Sequence, residues 1–136
     1  GSGESYSAFI PAGWRQQSSE DLIFDSPDNL GTIEIYAVKK GDKNPGSFPG
    51  EWLRERGLSM VQQRWGKKGS CDYHWSVSKT RGDNVAEVYI LKENDCIIII
   101  CGKASPERYR YLSGHIEEVL NSLQREKSLN AAAFKR

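Results

Sequence analysis

Alternating and fully apolar stretches through the middle of the chain predict strands first of all. Thr32 to Val38 alternates, with Ile33, Ile35 and Ala37 on one side and Glu34, Tyr36 and Val38 on the other. Asp72 to Lys79 and Val85 to Lys92 predict two more strands, joined by a hairpin turn at Arg81-Gly82-Asp83-Asn84. Centring that turn on Gly82-Asp83 sets Trp75 opposite Ile90 and Val77 opposite Val88. Tyr73, Trp75, Val77, Ala86, Val88 and Ile90 then share a core face. His74, Ser76, Ser78, Glu87, Tyr89 and Leu91 share the other. A slip of one residue would scramble this separation. After a second turn, Glu93-Asn94-Asp95, the run Cys96 to Cys101 is apolar on both faces, so each face needs a cover. Two shorter strands are expected near the start. One is Phe9 to Trp14; the other is Leu22-Ile23-Phe24, stopped by the turn formers Asp25-Ser26-Pro27-Asp28-Asn29.

Two helices complete the pattern. After the Gly- and Pro-rich loop from Gly41 to Gly50, Leu53, Gly57, Met60 and Val61 recur at helical spacing, with Trp65 just beyond. They predict a helix over about Glu51 to Arg64, with Gly57 as a point of close approach on its inner stripe. The second helix opens at Ser105-Pro106-Glu107, where Ser105 caps, Pro106 takes the first position and Glu107 suits the positive end of the dipole. Its stripe is Tyr109, Leu112, Ile116, Val119, Leu120 and Leu123, ending near Gln124. The fold class that follows is α+β, an antiparallel sheet of about six strands flanked by helices.

Composition narrows the function classes. The 136 residues are 38% hydrophobic and 27% charged, a globular balance in a length that suits one domain. Nineteen basic against 18 acidic residues leave no basic excess, so no nucleic-acid partner is expected. The longest apolar run is too short to span a bilayer, so no transmembrane segment is expected. Gly1-Ser2-Gly3 resembles a cloning scar, and residues 1–5 read as scar or linker. Residues 6–124 form the single domain, and 125–136 a poorly patterned tail, vector-derived or frayed. A missing leader at such a start carries no information about location.

Candidate chemistry is sparse. Three cysteines without CxxC spacing do not make a disulfide scaffold. Cys96 and Cys101 fall on opposite faces of one strand, Cys71 could meet Cys96, and all three read best as free thiols packing as small hydrophobes. No GxSxG elbow, GxGxxG or phosphate loop appears, so no enzyme activity and no cofactor are expected. His74, with Asp72 and Glu87 on its face, is too loose a set for a metal. His115 falls beside the last helix stripe. Arg81-Gly82-Asp83 reads as turn chemistry rather than an adhesion motif. Trp75 reads as core; Trp14, Trp52 and Trp65 lie at element edges. The candidate binding residues are His74, Tyr89 and Leu91. Beside the small Ser76 and Ser78 they suit a shallow groove for a peptide or helix, unless the first helix or the Gly41–Gly50 loop covers that face.

The opening Phe9-Ile10-Pro11-Ala12-Gly13-Trp14 resembles the F-x-h-P-x-G-W start of PsbP-like domains, with one residue fewer before the proline. The close, an apolar strand followed by Ala104-Ser105-Pro106-Glu107-Arg108-Tyr109 and a helix ending at Leu120-Asn121-Ser122-Leu123, resembles their s-A-P-E-x-x-W/Y … h-x-S-h end. The likeness runs from Tyr6 to Gln124. It implies an α/β/α sandwich and a role in binding, since members include photosystem II subunits, exported bacterial lipoproteins, a Ran-binding import factor and type VI effector chaperones. The short Lys67-Lys68 loop departs from the photosynthetic members, and no functional residue carries over. The expectation is a non-catalytic binding or accessory domain, extracytoplasmic and part of a lipoprotein, with another protein as partner. The alternative is a cytoplasmic chaperone or regulator holding a partner's hydrophobic helix. A homodimer is the other way to cover an open sheet face.

Overall fold

The computed structural model describes residues 4–19, 21–93, 95–127 and 134–135. A seven-stranded antiparallel sheet forms its centre. In chain order its strands are β2 (Arg15–Gln16), β3 (Ile23–Asp25), β4 (Gly31–Lys39), β5 (Ser59–Lys68), β6 (Cys71–Lys79), β7 (Val85–Lys92) and β8 (Cys96–Ala104). In space they run β2-β3-β4-β8-β7-β6-β5, so the most apolar strand, β8, is interior and β5 is an edge. Helix α1 (Phe48–Glu55) covers one face and α2 (Tyr109–Ser122) the other. A second, three-stranded sheet pairs β1 (Glu4–Ser7) with β9 (Gln124–Lys127) and β10 (Phe134–Lys135). Residues 125–127, expected as tail, are therefore paired with residues 4–6.

The double cover that β8 requires is present. Ile98 and Ile100 lie in the core under α2, with Ile33, Ile35, Leu112, Ile116 and Val119. Ile97, Ile99 and Cys101 lie in the core under α1, with Phe48, Trp52, Leu53, Val88 and Ile90. Each of the four isoleucines is at most 2% exposed. The alternation of β4 holds too, with Ile33 and Ile35 toward α2 and Tyr36 and Val38 toward α1.

Four local expectations change. The first helix stops at Glu55, and the residues from Ser59 onward form β5. Gly57, at φ +72°, is a left-handed stop signal. Its N–H donates to Arg54 O, and Leu58 N–H reaches back to Leu53 O, while buried Leu53 and Leu58 share one core. The helical spacing of Met60 and Val61 was thus coincidental, and both are exposed. The hairpin is also shifted by one residue. Thr80 N–H bonds Asn84 O and Lys79 pairs with Val85, which centres the turn on Gly82. Trp75 therefore faces Tyr89, and Val77 faces Glu87. Helix α2 begins at Tyr109 after a turn at Pro106 to Arg108; Arg108 is its N-cap, and Ser105 contributes its carbonyl to Arg108 N–H rather than a side-chain cap. Finally, Phe9 to Trp14 forms no strand; it crosses the α2 face as irregular chain that buries Pro11 and Trp14.

Candidate functional site

The corrected register divides the three candidate residues between the two faces. Tyr89 and Leu91 point toward α2 and are 5% and 3% exposed. His74 points the other way, beside Ile90 and Trp65. They do not form one site. Tyr89 and Leu91 are core, and burial, with Glu87 and Glu117 nearby, pushes the Tyr89 hydroxyl up to about 12.

His74 instead belongs to a groove on the α1 face. This is a space of about 220 Å³ between the loop leading into α1 and the β5 end of the sheet. Pro45, Phe48 and Pro49 form one wall, Trp65 and His74 the other, and Ile90 and Ile97 the floor, with Lys92 at the mouth. The groove exists because β5 and β6 extend beyond the reach of α1, which ends two turns after it starts. Trp65 stands opposite His74 in the β5–β6 ladder and packs edge-on against its ring, centroids 4.6 Å apart. His74 Nε2 bonds Gln63 Oε1 at 2.8 Å, so Nε2 carries the proton and Nδ1 is the bare acceptor. Burial lowers the affinity of this ring for a second proton. The Gly41–Gly50 loop and α1 thus cover part of this face and leave the Trp65 side open, where that side chain is 55% exposed. The sequence reading placed Trp65 at an element edge. It missed the groove because it put Met60 to Arg64 on a helix.

Cations gather at this end of the sheet. Lys39 closes β4, Lys92 closes β7, and Lys67 and Lys68 close β5; the register brings all four to the same end of the sheet, with Lys39 four strands away from β5. Asp72 pairs with Lys67 at 3.6 Å, and Glu93 and Asp95 lie at the same end, the Asp95 carbonyl accepting from Lys40 N–H. This small basic rim sits beside an apolar slot within a chain of nearly neutral net charge.

The α2 face has an opening too, about 280 Å³ and more polar, lined by Lys67, Lys68, Tyr73, Tyr89, Glu117 and Leu120. Glu87 is 2% exposed; Trp75 Nε1 donates to its Oε2 at 2.5 Å, and burial raises its carboxyl above the ordinary range. The thiols are free and protonated: burial lifts Cys101 to about 12 and Cys71 to about 11, and Cys71 Sγ donates to Lys92 O rather than bridging Cys96. Thiols so raised are poor nucleophiles. Among the described residues no three His, Cys, Asp or Glu side chains group as metal ligands, and no helix is long and apolar enough to cross a membrane. His115 is half-buried between the rings of Trp14 and Tyr111. Phe9 N–H donates to Ser122 Oγ at 2.7 Å, which ties the chain's opening motif to its closing one and explains both as structural.

No protein-family model and no curated protein matches the chain. Solved structures do. The chain shares the α/β/α sandwich fold of these structures. It is similar to cyanobacterial PsbP (CyanoP) from Synechocystis sp. PCC 6803, at 9% identity and a TM-score of 0.65, covering 88% of this chain and 86% of that one. It is also similar to LpqN of Mycobacterium tuberculosis, involved in cell envelope biogenesis, at 12% identity and a TM-score of 0.64, covering 90% and 84%. A third is PA94 of Pseudomonas aeruginosa, a putative regulator of unknown function, at 12% identity and a TM-score of 0.61, covering 83% and 86%. Identities this low establish the fold and nothing finer.

Proposed function

We propose that this chain is a non-catalytic accessory domain that binds another protein through the groove beside Trp65. The observation that carries the reading is the groove itself: a mainly apolar slot of about 220 Å³, open at a half-exposed tryptophan, whereas the opening on the α2 face is the more polar of the two. Large aromatic side chains at the mouth of a pocket are what protein interfaces use as anchors. The volume suits one or two side chains of a partner. It is too small to seat a whole helix about 10 Å across, so side-chain insertion is favoured over the cradling of a hydrophobic helix.

The domain acts, in this reading, outside the cytoplasm as part of an envelope-associated lipoprotein. The likeness to LpqN, a protein of cell envelope biogenesis, supports that location. Capture from native extract with wild-type domain and with Trp65→Ala and Lys92→Glu variants tests the binding role. Both side chains are exposed or at the groove mouth, so melting temperature should stay within a degree or two while capture falls. Equal recovery of the same partners by all three proteins would refute the groove as the binding site. Fusing the native upstream coding segment to alkaline phosphatase tests location: an inactive fusion would rule out export.

A further inference from the structure

Beside the groove lies a second feature that gives the partner a chemistry. Strand β5 is the free edge of the seven-stranded sheet, ten residues long, and among the described residues no strand pairs with its outer side. Of the six large hydrophobic side chains exposed among the described residues, three (Met60, Val61 and Trp65) are on this strand. Its register slips once, between Met60 and Gln62, and is regular from Gln62 to Lys68. Edge strands are commonly guarded by short length, bulges, charged side chains or a covering element. Here the bulge lies at one end, the lysines at the other, and the regular stretch between them presents a tryptophan.

The charge on this edge is one-sided. β5 carries Arg64, Lys67 and Lys68 and no acid. The single carboxylate bonded to it, Asp72, engages Lys67 from the neighbouring strand. Pairing β5 with β5 of a second copy would place six cations along one two-strand ladder with no carboxylate in either strand. Like charges across a ladder are destabilising. An incoming strand that carries Asp or Glu meets the opposite balance.

We infer that β5 accepts an extended acidic segment of a partner protein by strand addition, with an apolar residue of that segment laid against Trp65. This rests on the reading of the domain as a binding module and names the partner's chemistry. Backbone hydrogen bonds to the open edge would supply affinity, and alternate side chains would supply selectivity: one parity facing Trp65, Lys67 and the groove, the other, acidic, facing Arg64 and Lys68.

The test is selection of a random decapeptide library on the intact domain, followed by synthesis of the enriched peptides. Enriched peptides should be acidic and should alternate with apolar or aromatic residues. N-methylation of alternate backbone positions should weaken binding more than tenfold on one parity and little on the other, because only one row of amides faces the edge. Lys67→Glu with Lys68→Glu should weaken binding at least tenfold at low salt. Peptides that respond to Trp65→Ala but to N-methylation of neither parity would overturn strand addition while leaving the groove reading intact. A library that yields no binder at all would count against both. Concentration-dependent dimers of the free domain in sedimentation, dissociated by the same peptides, would show a second copy on β5 and overturn the acidic partner.

Discussion

Gly102 should be among the least replaceable residues of the sheet, and the reason is helix α2. It lies on β8 between Ile33 and Glu87 on the neighbouring strands, on the face that α2 covers. A Cβ built there falls well inside contact distance of Ile116 Cδ1, 2.8 Å from Ile116 Cγ1 and 3.2 Å from Leu112 Cδ2. Neither neighbour is free to yield, since Ile116 is 0% and Leu112 1% exposed. Gly102→Ala should therefore overpack the core at about 1–3 kcal/mol. The relief of removing a glycine from a strand, about 0.5–1 kcal/mol, offsets only part of that cost. Ile116→Ala alone deletes a fully buried side chain and should cost about 2–5 kcal/mol. The two changes address the same space, so the double variant should be less destabilised than the sum by about 0.5–3 kcal/mol. Urea denaturation of the four proteins, with a common slope, gives the coupling. Additivity within about 0.5 kcal/mol, or a Gly102→Ala protein more stable than wild type, would refute the close helix–sheet approach.

Three further outcomes follow from buried groups. Tyr89→Ala should lower the melting temperature clearly, at a cost of about 3–5 kcal/mol if it behaves as a buried aromatic truncation, and a midpoint unchanged in thermal denaturation would return Tyr89 to the list of docking residues. The Glu87 carboxyl is raised above its ordinary 4.5 by burial, against the opposing bond from Trp75, so the fold favours its protonated form. Its contribution is fully present below about pH 4.5 and is lost as pH rises through the raised value; Glu87→Gln should gain on wild type as pH rises above about 4.5 in urea midpoints, and a constant difference would contradict the raised value. Cys101, fully buried and lifted to about 12, should resist iodoacetamide in the native protein and react only after unfolding, as peptide mass mapping would show; alkylation at the rate of a free thiol would deny its burial.

What the sequence disclosed depended on how many independent signals bore on each element. For β8 a single signal sufficed, because four consecutive isoleucines demand burial on both faces whatever the register. The α2 stripe of Leu112, Ile116, Val119 and Leu120 was equally plain, and all four are buried. Its start was not, because Ser105-Pro106-Glu107 has the composition of a cap but is followed by one more turn before the helix begins. The stretch Leu53 to Trp65 held two contradictory signals. Helical spacing of apolar residues argued for continuation, and Gly57 argued for a stop. The stop won, since a left-handed glycine followed by Leu58 satisfies the carbonyls of Arg54 and Leu53 and buries a leucine at once.

The candidate site failed on a finer point, and the failure is instructive about interior strands. β7 is covered on both sides, so Ala86, Val88 and Ile90 are as buried as Tyr89 and Leu91. Neither parity could be distinguished by polarity, and the register rested on the turn alone. Arg81-Gly82-Asp83-Asn84 fits a turn centred between Gly82 and Asp83 as well as one centred on Gly82. The second is closed by Thr80, whose N–H bonds Asn84 O while its side chain also accepts from Asn84 N–H. The strand with real alternation was β6, where His74, Ser76 and Ser78 oppose Tyr73, Trp75 and Val77, yet the side expected to be open, that of His74, is the more fully buried. A buried edge-side histidine with two buried serines needs a partner surface that is neither bulk water nor packed hydrocarbon. For His74 that role falls to Gln63 and Trp65 on β5, while the Ser76 and Ser78 hydroxyls make no hydrogen bond among the described residues; the strand mistaken for a helix thus carries the side chains on which the functional reading turns.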